Sequence, residues 1–221
     1  MGKSSLPFER LRKKMVERLE AEGIIRNSRI KEAMLTVPRH LFVLDISEDI
    51  AYEDMPIHIG GGQTISAPHM VALMSEALDI KAEHRVLEVG SGSGYHACII
   101  GCVANKGEVY SIERLASLAE IARKNIEIVG LCRNVKIIIG DGSKGYTEAA
   151  PYDRICVTAG APTVPKVLKE QMKTGGKLLI PVGSRDVQEL LRITKTGKDR
   201  YIEENLGGCV FVPLIGENAW H

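Results

Sequence analysis

Arg85-Val86-Leu87-Glu88-Val89-Gly90-Ser91-Gly92-Ser93-Gly94-Tyr95 decides how the rest of this chain is read. Strand-compatible residues run straight into three glycines at alternate positions, and a helix-compatible segment follows over residues 95–103. Glycine has no Cβ and accepts positive φ, so such a turn lets backbone approach a ligand closely. In an open parallel α/β sheet the turn lies at the carboxyl end of the first strand, where ligands bind. The spacing fits a nucleotide-like ligand but does not name one.

Downstream, strand and helix patterns alternate. Residues 108–113 read as a second strand ending on Glu113, about twenty positions past the glycines, the place where adenosine-binding folds put a ribose-binding carboxylate. Leu115, Leu118, Ala119, Ala122, Ile126 and Val129 then recur at helical spacing until Gly130. A third strand at 135–139 runs into Gly140-Asp141-Gly142, and a fourth spans 152–158. A helix is expected at 165–172, a strand at 177–182, and two more strands near 189–194 and 208–212. This order predicts an α/β, Rossmann-like, mostly parallel doubly wound sheet. The placing of the last two strands at the sheet edge stays open.

Upstream, residues 7–22 put Phe8, Leu11, Met15 and Leu19 on one helical face, with Gly23 as the stop. A second helix is expected at 28–35, ended by Pro38. Residues 1–50 therefore read as a helical extension, and 51–221 as the main domain, in a single compact unit. The run Gly60-Gly61-Gly62-Gln63-Thr64-Ile65-Ser66-Ala67-Pro68 reads as a mobile loop entering a helix. Ser66 or Ala67 would be the N-cap, with Pro68 in the first turn, and a helix start of this kind can also receive a carboxylate.

With 221 residues, 29 Lys and Arg against 28 Asp and Glu, and 44% hydrophobic residues, the chain is an ordinary globular one, with no field directing it toward nucleic acid. Its charged start gives no sign of a secretory signal, and no apolar run reaches the ~18 residues that span a bilayer. A cytoplasmic protein without a membrane partner is expected, as a monomer or small oligomer. Five cysteines, an odd number without a Cys-x-x-Cys pair, argue against a disulfide framework and against zinc. Cys98 and Cys102, one helical turn apart, read as small buried packing groups. The six histidines form no metal-spaced group, and no metal is expected.

Two cofactors compete for the glycine turn. A nicotinamide dinucleotide prefers Gly-x-Gly-x-x-Gly, whereas here the third glycine comes one position early and the turn opens on Glu88. A carboxylate there repels a pyrophosphate and attracts the ammonium and sulfonium of S-adenosyl-L-methionine. Glu88, Glu113 and Asp141, at or beside three successive strand ends, favour that second cofactor, with Asp141 placed to accept the adenine amine.

The motifs then converge. Val37-Pro38-Arg39-His40, Gln63-Thr64-Ile65-Ser66-Ala67-Pro68-His69-Met70, the glycine turn, Gly140-Asp141-Gly142, Ala150-Pro151-Tyr152-Asp153 and Phe211-Val212-Pro213-Leu214 occur in the order found in the protein-L-isoaspartate O-methyltransferase family, which the chain resembles from Val37 to Trp220. The resemblance implies a class I S-adenosylmethionine-dependent methyltransferase fold and an active-site Ser66. It also implies cofactor contacts at Gln63, Thr64, Ile65, Glu88, Gly90, Ser91, Gly92, Glu113, Arg114, Asp141 and Gly142. Relatives of the animal type carry a Thr and a Gln where Ile215 and Trp220 stand, so contacts at those two positions are not carried over. The implied reaction methylates the free carboxylate of isoaspartyl residues in damaged proteins and peptides, leaving S-adenosyl-L-homocysteine and starting repair through a succinimide. That carboxylate, with a pKa of about 3.5–4, is already ionised at neutral pH and needs no general base. The alternative is a methyltransferase or cofactor-binding protein with another acceptor, a small molecule or RNA; Thr158-Ala159-Gly160-Ala161, standing where an Asn-Pro-Pro-Tyr amine-methylation motif would, disfavours nucleic-acid bases.

Overall fold

The computed structural model describes residues 6–43 and 50–221. The polar start at 1–5 and the end of the expected extension at 44–49 lie outside the described residues. Helices α1 (Leu6–Ala21) and α2 (Ser28–Thr36) come first, and Gly23 takes the positive φ that ends the first. A short antiparallel hairpin, β1 (Ile57–Gly60) and β2 (Gln63–Ile65), precedes helix α3 (Pro68–Leu78). The alternating region follows as β3 (Arg85–Val89), α4 (Tyr95–Val103), β4 (Glu108–Glu113), α5 (Ala116–Val129), β5 (Val135–Ile139), β6 (Tyr152–Val157) and α6 (Lys166–Glu170). Three long strands close the chain: β7 (Met172–Gly183), β8 (Gln188–Gly197) and β9 (Arg200–Cys209).

The main sheet has the order β5-β4-β3-β6-β7-β8-β9. Its first five strands are parallel, β8 runs antiparallel to β7, and β9 antiparallel to β8. The order reverses beside β3, which opens a crevice at the carboxyl ends of β3 and β4. Strands β3 and β6 are buried along almost their whole length, as expected of central parallel strands covered on both faces. Alternation within β3 sends Val86 to the layer of α1 to α5, and Leu87 and Val89 to the layer of Leu168 on α6 and Leu214. Met15, Leu19, Ile30 and Met34 enter the same core cluster as Val86 and Val109, so the first two helices pack as part of the sheet's helical layer. No helix among the described residues is long and apolar enough to cross a membrane.

Three expectations change, and one open choice is settled. The glycine-rich loop at 60–62 is a hairpin turn: Gly61 and Gly62 take φ of 59° and 71°, the pair of left-handed residues that a two-residue turn between twisted strands requires. Of the two N-cap candidates for α3, the structure takes Ala67, without a side-chain cap. The helix expected at 165–172 stops at Glu170, because Met172 already pairs with Tyr152 as the start of β7. The last strand is Arg200–Cys209, not 208–212. It is an edge strand with mostly exposed side chains, Arg200, Glu203 and Glu204 among them, and this hides its period. The last two strands therefore follow β7 in chain order.

The cysteines depart from expectation as well. Cys98 on α4 is joined to Cys132 in a disulfide across 34 residues, whereas Cys102, Cys156 and Cys209 are free. Spacing alone gave no sign of that pair, because the loop carrying Cys132 reaches α4 only once α5 has folded back.

Candidate active site

The site begins with backbone geometry at the end of β3. Gly90 and Ser91 both donate their N–H to the Ile112 carbonyl at 2.8 and 3.1 Å, turning the chain over the end of β4. Gly90 has φ of 100°, and a Cβ there would lie 2.3 Å from the Thr158 hydroxyl. That hydroxyl instead donates to the Gly90 carbonyl at 2.7 Å, so only glycine allows the close crossing of the two strand ends. Ile59 of the hairpin approaches Gly92 from above, so β1 and β2 cover the turn.

Glu113 faces the cleft at the end of β4. It accepts the Gly92 N–H at 2.9 Å on one oxygen and the Leu115 N–H at 2.9 Å on the other. Each oxygen keeps a lone pair, so the carboxylate holds the turn and still offers acceptors to hydroxyl groups. The cleft, about 590 Å³ out to its open mouth, is also lined by Gln63, Thr64, Arg114 and Gly142 on its polar side. Ile112, Leu115 and Val212 to Ile215 supply its apolar wall.

Glu88 lies elsewhere. Alternation along β3 points it with Val86 into the helical layer, where it is fully buried and opposite Ser111 in the β3–β4 register. Ser111 donates to one of its oxygens, and Ser91 in turn contacts Ser111 at 2.6 Å. Burial pushes its carboxyl up to about 8, so it is protonated at neutral pH. Its other oxygen has no hydrogen-bond partner and stands 3.8 Å from His96 Nδ1. Burial pushes that histidine down to about 4, so the contact joins two neutral groups and is no ion pair. Ser75 donates to the Val71 carbonyl at 2.8 Å and so accepts from His96 Nε2 at 3.1 Å, leaving Nδ1 as the acceptor that faces Glu88. The attraction of a Glu88 carboxylate for a sulfonium, expected from sequence, is absent while this side chain is a neutral acid beneath the turn.

Asp141 also turns aside. One oxygen accepts the Ser143 N–H and hydroxyl at 2.9 and 2.7 Å, and the other accepts the Glu217 N–H at 2.9 Å. Burial raises its pKa, but these hydrogen bonds outweigh it and hold the carboxyl below its ordinary value. Asp141 thus ties the C-terminal segment over β5, while the adjoining Gly142 lines the cleft. Of the two positions left open by the motifs, Ile215 lines the cleft; Trp220 donates its indole N–H to the Gly160 carbonyl at 3.1 Å.

Beside the cleft runs a groove between the start of α3 and residues 208–212, lined by Thr64, Ser66, His69, Met70 and Thr158. A narrower recess with Ile65, Ser66, Ser91 and His96 joins the two. Thr64 and Thr158 border both spaces and the recess, and Ser66 lines the groove and the recess. The Ser66 carbonyl is fixed by Arg39, whose Nη2 donates to it at 2.8 Å and whose Nε donates to the Ala51 carbonyl at 2.9 Å. Arg39 is fully buried, with its guanidinium 4.9 Å from the Tyr95 ring centroid. Asp54 accepts the backbone N–H and the ring Nδ1–H of His69, both at 2.9 Å, which fixes the ring with Nε2 turned away from Asp54.

Sequence reading thus brings Gln63, Thr64, Gly90, Gly92, Glu113, Arg114 and Gly142 to one cleft, and Ile65, Ser66 and Ser91 to the recess beside it. It missed Asp54, His69, Thr158 and the clamp from Arg39. His69 and Arg39 stand within the quoted motifs, and Thr158 at the end of β6 was visible as a strand-end hydroxyl.

The chain is similar to known proteins over nearly its whole length. The family model for protein-L-isoaspartate(D-aspartate) O-methyltransferase (PCMT) matches residues 9–219. A protein-L-isoaspartate O-methyltransferase of Methanopyrus kandleri is 53% identical over 221 residues, covering 100% of this chain and 98% of that protein. One from Pyrococcus horikoshii is 53% identical over 209 residues, covering 94% of each chain. A Plasmodium falciparum structure described as a protein-L-isoaspartate O-methyltransferase, in complex with S-adenosyl-L-homocysteine, superposes with a TM-score of 0.80 at 32% identity. The superposition covers 92% of this chain and 97% of that one.

Proposed function

The chain belongs to the protein-L-isoaspartate(D-aspartate) O-methyltransferase family, and on that premise we propose how its cleft and groove divide the work. The enzyme is an S-adenosyl-L-methionine-dependent methyltransferase of class 2.1.1 that acts on isoaspartyl residues. The cleft suits this cofactor: the Cβ-free crossing at Gly90 admits an extended ligand, Glu113 keeps acceptors for two ribose hydroxyls, and the apolar wall suits an adenine. When bound, the cofactor supplies an electrophilic methyl on a sulfonium. Gln63, Thr64 and Arg114 would close the cleft mouth over it. Glu88 would act from beneath, setting the turn through Ser111 and Ser91 rather than touching the ligand.

The acceptor lies in the groove. An isoaspartyl link exposes an α-carboxylate that is ionised at neutral pH, so the protein needs no base and must instead align one oxygen with the methyl and keep water away. Ser66 would donate a hydrogen bond to that carboxylate, its backbone held in place by Arg39. His69, with Asp54 behind it, would present Nε2 to the peptide backbone. The methyl ester so formed loses methanol to the neighbouring amide nitrogen, and the succinimide hydrolyses in part to a normal aspartyl link.

The observation that carries this reading is the recess lined by Ser66, whose Thr64 and Thr158 also border cleft and groove. Two peptides differing only in aspartyl against isoaspartyl linkage, offered with cofactor labelled on the methyl, test it: label is expected on the isoaspartyl peptide alone. Ser66→Ala is expected to lower kcat by on the order of tenfold or more while cofactor affinity holds. Label on both peptides, or unchanged turnover in the variant, would remove Ser66 from acceptor selection. A cytoplasmic setting, a monomer or small oligomer, and independence from nucleic acid and membrane complete the proposal, supported by the near balance of charge.

A further inference from the structure

Three sulfurs meet where α4 faces the loop between α5 and β5, on the far side of α4 from the groove. Cys98 is bonded to Cys132, and Cys102 Sγ lies 3.9 Å from Cys132 Sγ. All three sulfurs lie within 4.8 Å of one another. Cys98 and Cys102 stand one turn apart on one face of α4. Cys98 and Cys132 are buried, whereas Cys102 is half-buried.

The frame that holds Cys132 between them does not rely on the disulfide. Asn134 donates to the Gly101 and Ala104 carbonyls at 3.1 and 2.8 Å, fastening the loop to the end of α4. Gly101 fits closely beneath the loop, since a Cβ there would lie 2.6 Å from Val135 Cγ2. The loop is therefore held near both helix cysteines whichever of them carries the bond.

We propose that Cys98, Cys102 and Cys132 form a thiol–disulfide exchange site, in which Cys132 pairs with either helix cysteine and Cys102 is the sulfur reached by small thiols from solvent. In the exchange, the Cys102 thiolate attacks Cys132 Sγ, the Cys98–Cys132 bond breaks, and Cys98 leaves as a thiolate that takes up the proton released by Cys102. One disulfide and one thiol are present before and after, so no oxidant is consumed. A small thiolate then attacks Cys102 in the isomer, giving a mixed disulfide on Cys102 and a free thiol on Cys132. Burial, and then Glu32, push the Cys102 thiol up, which slows the internal step. The exchange moves the tether on α4 by one turn, away from the glycine turn at its N-terminus.

Full-length protein isolated in air, trapped with N-ethylmaleimide and mapped by peptide mass spectrometry without reduction provides the test. The wild-type chain is expected to carry both the 98–132 and 102–132 links, and glutathione to appear on Cys102 after incubation. Cys98→Ser is expected to hold a 102–132 disulfide. Cys102→Ser and Cys102→Ala, checked for an unchanged melting midpoint, are expected to keep the 98–132 bond and lose it to glutathione on the order of tenfold more slowly than wild type. Equal reduction rates, two free thiols in Cys98→Ser, or an isolated protein with three thiolates on a metal ion and no disulfide would each overturn the proposal.

Discussion

The ends of β3 and β4 present the same side chain to opposite fates. Glu88 and Glu113 sit at the carboxyl ends of neighbouring parallel strands, both beside the glycine turn. Glu113 ends its strand, so its carboxylate reaches past the sheet to two backbone N–H donors and the open cleft. Glu88 is the last but one residue of its strand, so the pleat sends it into the helical layer, where burial makes it a neutral acid. Arg39 is a third case. It is as buried as Glu88 but cannot discharge by losing a proton, so it keeps its charge by donating to two carbonyls and lying against Tyr95. Glu113 stands only two positions beyond the level of Glu88 in the β3–β4 register, and that step separates a carboxylate that faces the cleft from one buried beneath the turn. A charge that cannot be shed becomes a clamp.

The largest effect is expected at the exposed member of the pair. Glu113→Ala removes the acceptors offered to ribose and the tie to Gly92, together worth about 2–3 kcal/mol of charged hydrogen bonding. Calorimetry should therefore show cofactor affinity weaker by on the order of a hundredfold. Glu113→Gln should recover part of this, because a carboxamide oxygen still accepts one N–H. A variant binding as tightly as wild type would erase the distinction from Glu88.

Next comes the clamp. Arg39→Met fills a similar volume and removes both donors, freeing the Ser66 carbonyl while leaving the cleft intact. Turnover is expected to fall by on the order of tenfold, about 1.4 kcal/mol of lost transition-state alignment, at unchanged cofactor affinity. Arg39→Lys, with one compact donor head, should recover little. A loss confined to cofactor affinity would mean that Arg39 supports the turn rather than Ser66.

These contrasts mark what the sequence carried. The strand, glycine turn and helix from Arg85 to Val103, and Glu113 at the next strand end, were legible because each depends on local spacing. The acceptor side was legible only as motifs. Arg39 reaches Ser66 across 27 residues and Asp54 reaches His69 across 15, and no periodicity links such pairs. The hairpin escaped because its strands are only four and three residues long, and the alternation of Ile57, His58 and Ile59 covers too few positions to mark a strand beside three glycines. Asp141 was found at its strand end, but not its partner Glu217, 76 residues on. For Glu88 a signal did exist: it shares parity with Val86 in a strand buried on both faces, and that parity alone sets the layer it faces.

The smallest effect on binding is expected at Glu88, and it separates the two carboxylates most sharply. Glu88→Gln keeps size and polarity, so cofactor affinity at pH 7 should stay within about twofold. Its mark falls on stability against pH. The folded carboxyl titrates at about 8 and the unfolded one near its ordinary 4.5. Below the lower value both states hold the proton, and the group contributes no slope. Between the two values the unfolded chain has released its proton and the folded chain has not, so wild-type stability falls as pH rises. The decline approaches about 1.4 kcal/mol per pH unit relative to Glu88→Gln and levels off above the folded value. Urea denaturation of both proteins from pH 5 to pH 9 measures the difference directly. Parallel curves would mean that Glu88 is ionised in the fold, and a carboxylate at the end of β3 would again be available to attract a sulfonium.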